Sequence, residues 1–263
     1  MFDEIKNKLK KFNSYEEENL LLVNDDCFKV LKKMPKNSVD VIFADPPYFL
    51  SNNGITCSNG KMVSVNKGKW DDGFSVKEKN NFNKKWIKLC KEVLNDSGSI
   101  WISGTMHNIY SIGLALEENG FKIINNVTWY KPNAAPNLAC KMLTHSTETI
   151  LWAKKDIKNI KHHFDYNEMK KYNDNKQLRD VWNIPTTPKR EKLHGKHPTQ
   201  KPEKLLQMIL ECSTKENFIV MDPFSGSSTS GVVAKKMGLK FIGIEKEEDF
   251  FELSKKRFVQ CYK

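Results

Sequence analysis

Asp45-Pro46-Pro47-Tyr48, directly after the apolar run at residues 39–44, has the residue types and spacing to hold an amino group. Two successive prolines remove backbone donors and stiffen the chain, leaving the Asp45 carboxylate and the Pro46 carbonyl as rigidly held acceptors. Such a planar acceptor pair suits the exocyclic amine of adenine. That amine is a poor nucleophile because its lone pair is delocalised into the ring, and acceptors on its N–H groups favour a pyramidal nitrogen. Tyr48 offers a flat face for stacking. A base presents its amine in this way only after leaving the helix stack. The plainer reading is that Pro46-Pro47 simply ends a strand.

A second site is Asp222-Pro223-Phe224-Ser225-Gly226-Ser227-Ser228-Thr229, between an apolar run and a helical pattern. It lacks the Gly-Lys-[Ser/Thr] of a Walker loop and is not a full G-x-G-x-x-G fingerprint. Its small residues still let a ligand approach the backbone closely. The run at 240–244 ends in Glu245, and an acid at that point of a nucleotide-binding βαβ unit accepts hydrogen bonds from ribose hydroxyls. Asn24-Asp25-Asp26 follows the run at 20–23 in the same way. Any one of these acids alone is commonly a helix N-cap. Four acids ending four strands point to one lined crevice for a nucleoside without a pyrophosphate.

The elements that must position these residues are legible as apolar runs alternating with amphipathic stretches. Strands are expected at residues 20–23, 39–44, 99–102, 121–130, 149–153, 218–221 and 240–244, and helices at 27–34, 76–94, 107–119, 202–213, 228–237 and 247–261. This is the pattern of an α/β, Rossmann-like, seven-stranded and mostly parallel sheet flanked by helices. In the helix at 76–94, Phe82, Trp86, Leu89, Cys90 and Val93 share one face and belong to the core, with Asn95-Asp96-Ser97-Gly98 closing it. With 263 residues the chain reads as a single domain, 1–263. Two stretches break the alternation. Residues 49–73 form a long polar loop rich in Gly, Asn and Ser, able to close over a substrate. Residues 154–196 form an inserted basic segment.

The net charge is +11, from 43 Lys/Arg against 32 Asp/Glu, which points to a polyanionic partner. Only three of the basic residues are arginine, so part of the lysine excess also fits an A/T-rich coding bias. Residues 154–204 carry fourteen Lys/Arg against seven Asp/Glu and four of the six histidines. No histidine spacing argues for a metal, and His162, His163 and His194 read as solvated or phosphate-facing. The six cysteines show no C-x-x-C spacing and read as free thiols, mostly in the core. No apolar run is long enough to span a bilayer and no signal-peptide pattern opens the chain, which suggests a soluble, cytoplasmic protein.

Taken in order, Asp45-Pro-Pro-Tyr48, His197-Pro-Thr-Gln-Lys-Pro202 and Asp222-Pro-Phe-Ser-Gly-Ser-Ser-Thr229 resemble the motifs of the β-class S-adenosyl-L-methionine-dependent DNA amino-methyltransferases. In that class the catalytic motif precedes the cofactor motif, a circularly permuted order. Residues 43–70 and 101–110 are most similar to the GATC adenine methylases of bacterial DpnII-type restriction systems. The resemblance implies methyl transfer to N6 of adenine in double-stranded, or also single-stranded, DNA. It places Asp45, Pro46, Pro47 and Tyr48 at the amine and flipped base. Asp222, Pro223, Phe224, Ser225, Gly226 and Ser227 would line the methionine end of the cofactor, Glu245 its ribose and Asp26 its adenine, with Thr199 and Lys201 near its carboxylate. The basic segment would recognise the target. Lys154, Lys155, Lys158, Lys161, Lys170 and Lys171 would meet phosphates, and Arg179 or the neighbouring Gln177, Asn173 and Asn175 would read bases. A homodimer and a companion restriction endonuclease are further expectations. Ser228 stands where the family usually has Gly, which is tolerable if its φ is negative. Two other readings compete: an N4-cytosine methyltransferase, which usually has Ser in place of Asp45, and a nucleic-acid-binding protein without catalysis. A methylase of RNA or of a protein glutamine is a third, the latter usually showing Asn-Pro-Pro-Tyr.

Overall fold

Leu20 and Leu22 pack on one side of the sheet and Leu21 and Val23 on the other, the signature of a strand covered on both faces. That pattern recurs through a computed structural model that describes residues 1–49, 55–58, 61–64, 75–192, 194–195 and 197–260. The chain begins with α1 (Phe2–Leu9), β1 (Asn13–Glu17), β2 (Leu20–Asn24), α2 (Cys27–Leu31) and β3 (Val39–Ala44). β4 (Ile55–Ser58) and β5 (Lys61–Ser64) pair only with each other. There follow α3 (Val76–Val93), β6 (Leu94–Gly104), α4 (Ile109–Glu118), β7 (Phe121–Tyr130) and β8 (Thr147–Lys155). The remainder comprises α5 (Tyr166–Lys170), β9 (Val181–Asn183), α6 (Glu203–Ser213), β10 (Ile219–Asp222), α7 (Thr229–Lys236), β11 (Lys240–Glu245) and α8 (Glu248–Gln260).

The main sheet has the order β1-β2-β11-β10-β3-β6-β8-β7-β9. All seven expected strands lie in it, but it holds nine: the polar β1 and the three-residue β9 extend its two edges. Neither edge strand carries an apolar run that periodicity could detect. From β2 to β6 the pairing is parallel, and β8 runs against both β6 and β7. Buried side chains of α1, α2, α3 and α4 fill one face, and those of α5, α6, α7 and α8 fill the other. β10 sits between β11 and β3, where the winding of the chain reverses. A crevice opens outside the carboxyl ends of strands at such a switch point.

α3 starts with a capping box between Ser75 and Glu78 and buries Trp86, Cys90 and Val93, with Phe82 and Leu89 packed at the core edge. Residues 95–98 do not form the expected closing turn. They belong to β6, whose register against β3 shifts between Val39 and Val41. Gly98 makes this irregularity possible, since a Cβ there would lie 2.6 Å from Leu94 Cδ1 and 2.7 Å from the Asp40 carbonyl.

The basic segment is woven into the fold. It finishes β8, packs α5 against α6 through Asp165 N–H to the Cys212 carbonyl, and contributes β9. Because β8 is antiparallel, its carboxyl end lies at the amino edge of the parallel strands, opposite the crevice. Lys154 and Lys155 are therefore not beside the site. Lys155 is also buried, donating to Asp96 at 2.9 Å and Asn37 at 2.8 Å, and Lys154 Nζ donates to the Ile160 carbonyl. A phosphate contact from Lys155 is corrected on that ground: its ammonium is committed inside the protein. Lys158, Lys161 and Arg179 are exposed, Lys171 pairs with Glu168, and Lys170 lies 5.7 Å from the Tyr166 ring centroid. His162 packs edge-on against Trp152 and His163 bonds the Thr214 carbonyl, so neither is simply solvated. Cys27, Cys90 and Cys212 are buried thiols and Cys140 is an exposed one, whereas the side chains of Cys57 and Cys261 lie outside the described residues. Most of the loop at 49–73, with its expected closing role, also lies outside them. Among the described residues no helix is long and apolar enough to cross a membrane.

Candidate active site

A cavity of about 330 Å³ occupies the crevice, and its wall includes the acids at the ends of four strands: Asp26, Asp45, Asp222 and Glu245. Pro46, Pro47, Tyr48, Thr199, Lys201, Pro223, Phe224, Ser225, Gly226 and Ser227 line it too. Every residue expected at the amine or the cofactor thus borders one space, although the seven basic residues expected at DNA do not.

At one end, β3 delivers Asp45 and the rigid turn that follows delivers Tyr48. Asp45 Oδ1 accepts from the Tyr48 hydroxyl at 2.5 Å and Oδ2 from Lys201 Nζ at 2.5 Å. Lys201 also donates to Tyr48 Oη at 2.8 Å and lies 3.7 Å from Glu148. Glu148, near the start of β8, accepts from Tyr48 at 3.2 Å and pairs with Lys131 at 3.1 Å. Two carboxylates therefore share two ammoniums. Burial raises the Asp45 pKa, and Lys201 only partly offsets it. Burial also pushes Glu148 upward, but Lys201 and Lys131 outweigh it and hold Glu148 below the usual carboxylate range. Tyr48 is pushed well up by burial and by the two carboxylates, so its hydroxyl stays neutral and can donate.

Two of these contacts differ from the sequence expectation. Lys201 was expected at a cofactor carboxylate; its ammonium is instead held on Asp45. Tyr48 was expected to offer a flat face for stacking; the residue lines the cavity but is little exposed, with Lys201 Nζ 5.1 Å from its ring centroid. The proline turn is pinned from behind. Asn108 Nδ2 donates to the Pro47 carbonyl at 2.8 Å, Asn83 donates to Asn108 Oδ1 at 2.6 Å, and Trp86 Nε1 donates to Asn83 Oδ1 at 3.1 Å. This buried relay ties the turn to α3.

At the other end, Asp222 accepts from Ser230 at 2.5 Å and from the Phe224 N–H at 3.0 Å. Glu245 accepts from the Gly226 N–H at 2.6 Å and the Glu247 N–H at 2.8 Å. Burial pushes both carboxyls up to about 7. Asp26 caps α2 through Phe28 N–H while facing the cavity, so the capping and lining readings both hold. Thr199 N–H donates to His197 Nδ1 at 3.3 Å. Gly226 has φ +53°, and a Cβ there would meet His197 Nε2 at 3.1 Å. Only glycine gives the backbone this approach. Ser228 departs from expectation: its φ is +52°, in the left-handed region, not negative. Its hydroxyl accepts from Ser225 Oγ at 2.9 Å and its N–H donates to the Ser225 carbonyl at 2.7 Å. Those bonds hold a conformation that serine rarely adopts.

Sequence reasoning missed Glu148, Lys131, Asn83 and Asn108. Glu148 left a signal, as an acid two residues ahead of the apolar run at 150–153. The two asparagines left none.

A switch-point crevice with acids at its strand ends and a buried Asp-Pro-Pro-Tyr turn defines a Rossmann-like methyltransferase. The DNA methylase family profile matches residues 39–256, and the chain belongs to that family. It is 56% identical over 243 residues to the type II methyltransferase M2.LlaDCHI of Lactococcus lactis subsp. cremoris, covering 92% of this chain and 90% of that protein. It is equally similar, 56% over 243 residues, to the type II methyltransferase M2.DpnII of Streptococcus pneumoniae, covering 92% and 91%. The crystal structure of the M1.HpyAVI-SAM complex matches with a TM-score of 0.68 at 28% identity, over 91% of this chain and 98% of that one. The protein is a DNA methyltransferase.

Proposed function

We propose that the chain methylates N6 of adenine within a short DNA target, GATC, using S-adenosyl-L-methionine. The observation that carries this reading is the largely buried Asp45 carboxylate, which lines one end of an acid-lined cavity together with Pro46. The cavity fits the donor in size and sign. Its volume suits a nucleoside-sized ligand, Gly226 brings bare backbone to its wall, and Asp222 and Glu245 favour a cation. When bound, the cofactor supplies an activated methyl group on a cationic sulfur.

The remaining work falls to the protein. Glu245 retains lone pairs for ribose hydroxyls beyond the bonds it accepts from Gly226 and Glu247. Asp26 faces the adenine end, and Asp222 with residues 223–227 surrounds the methionine end. Asp45 and the Pro46 carbonyl accept from the two N–H groups of a flipped adenine and aim its nitrogen along the transfer axis. Each Asp45 oxygen can accept a second hydrogen bond beside Tyr48 or Lys201. As the nitrogen bonds to carbon its protons become acidic, and the Asp45 carboxylate, made more basic by burial, can take one. Lys201 and Tyr48 keep the carboxylate oriented meanwhile.

The basic segment supplies target recognition through its later, exposed part, including Arg179, since Lys158 and Lys161 follow Lys155 at the far edge of the sheet. A companion restriction endonuclease and a cytoplasmic location belong to the same reading, the relatives being named type II methyltransferases. Digestion of methylated duplex to nucleosides tests the chemistry: N6-methyladenine is expected, and N4-methylcytosine alone would overturn the reading. Modification-calling sequencing of DNA from a methylation-free host tests the target.

A further inference from the structure

Exposed large apolar side chains lie in connections at the carboxyl edge of the sheet, the edge on which the cavity opens. Met106 and Tyr110 follow β6, and Leu138, Met142 and Leu143 lie in the connection from β7 to β8. Leu143 is 91% exposed and Met142 61%. This connection, residues 131–146, contains Lys131, Lys141 and His145 but no acid. Its base is fastened: Lys131 N–H donates to the Ser146 carbonyl at 2.7 Å, and Asn133 exchanges hydrogen bonds with Thr186 at 3.1 and 2.9 Å. Two residues beyond Ser146, Glu148 touches Tyr48. Leu143 stands five positions before Glu148, a reach of at most about 18 Å.

An apolar tip on a basic, acid-free hairpin is poorly suited to water but well suited to DNA. A base leaving the stack opens a gap bounded by two apolar base faces, and apolar side chains wedge into such gaps. We propose that Leu143, backed by Met142, enters the DNA stack at the space vacated by the target base, while Lys141 meets the adjoining phosphate. The inference rests on the base-flipping reading above.

Leu143→Ala and Leu143→Phe test it without touching the fold, because the side chain is solvated. Two substrates are compared, a perfect duplex and the same duplex with an abasic site opposite the target adenine. 2-Aminopurine at the target reports flipping. The expectation is a tenfold or greater loss of kcat/KM on the perfect duplex for Leu143→Ala, matched by a smaller fluorescence rise. Activity on the abasic duplex and in Leu143→Phe stays near wild type. An equal loss on both substrates, or no loss on either, overturns the wedge. Failure of the wild-type enzyme to raise the fluorescence overturns the flipping reading itself, and the wedge with it.

Discussion

Lys201 Nζ lies 2.5 Å from Asp45 Oδ2, joining residues 156 positions apart in the chain. The contact links the His197-to-Pro202 segment directly to the proline turn, inside a pocket where both partners are shielded from water. Breaking a buried ion pair from one side costs far more than removing both partners, because one charge is left stranded.

Asp45→Asn is expected to reduce methyl transfer by roughly 10²- to 10⁴-fold, the usual span for losing a positioned acid–base group. Cofactor affinity, measured by calorimetry, stays close to wild type. Loss of cofactor binding instead would refute the division of the cavity into an amine end and a cofactor end. Lys201→Met strands Asp45 and is expected to lower stability by roughly 3–5 kcal/mol. Adding Asp45→Asn to it recovers part of the loss in urea denaturation.

Glu245→Gln is expected to weaken cofactor binding roughly ten- to hundredfold, the worth of a hydrogen bond to a charged group. The same residue sets a pH dependence. Asp222 and Glu245 titrate near 7 in the folded chain, against ordinary values of 3.8 and 4.5. The folded state therefore keeps protons that the unfolded chain has released. The stability these groups contribute is fully present below the ordinary carboxylate values and is lost as the pH rises through about 7. A cationic ligand favours the ionised carboxylates, so cofactor binding should release protons and tighten over the same interval. Calorimetry in buffers of different ionisation enthalpy reads the proton count directly; net proton uptake would contradict the assignment.

Ser228 carries two opposing effects. Its left-handed backbone costs about 1–2 kcal/mol, while its hydrogen bond to Ser225 returns about 0.5–1.5 kcal/mol. Ser228→Gly relieves the first and forfeits the second, with a further cost of unfolded-chain entropy, so it should be nearly neutral. Ser228→Ala keeps the strain and loses the bond, and is expected to be the less stable variant by about 1 kcal/mol in thermal denaturation. The reverse order would show that the hydroxyl bond is worth nothing here.

DNA affinity should fall steeply with salt while cofactor affinity barely changes, because only the former displaces counterions. Lys141→Ala is expected to lower the salt slope by about one ion. Lys155→Ala should instead reduce stability and leave the slope alone, since its ammonium is bound to Asp96. A change of slope in Lys155→Ala would return that residue to the DNA interface.

The central strands were legible because each is a short apolar run bounded by turn residues, and the strand-end acids because each closes such a run. Position within a sheet was not. Lys154 and Lys155 end an apolar strand just as Asp45 does, yet β8 runs backward and carries them to the far edge, and apolar periodicity has no sense of direction. Glu148 and Asn108 meet the catalytic turn only through the register of β8 and the start of α4, neither of which leaves a local pattern. The φ of Ser228 was equally hidden, because the bonds that sustain it come from Ser225, three residues away in a loop whose shape the residue types leave open.

β10 fills the centre of the sheet but is made late. The Ile219 N–H bonds the Asp40 carboxylate at 2.8 Å across 179 residues of chain. At synthesis rates of roughly 5–20 residues per second, β3 waits on the order of ten seconds or longer on the ribosome for this neighbour. Until then the nascent catalytic half presents an unpaired, apolar strand edge, a template for aggregation. Slowed translation before residue 219 would lengthen that exposure, and early chaperone engagement would shorten it, so soluble yield should follow the tempo of synthesis as well as final stability.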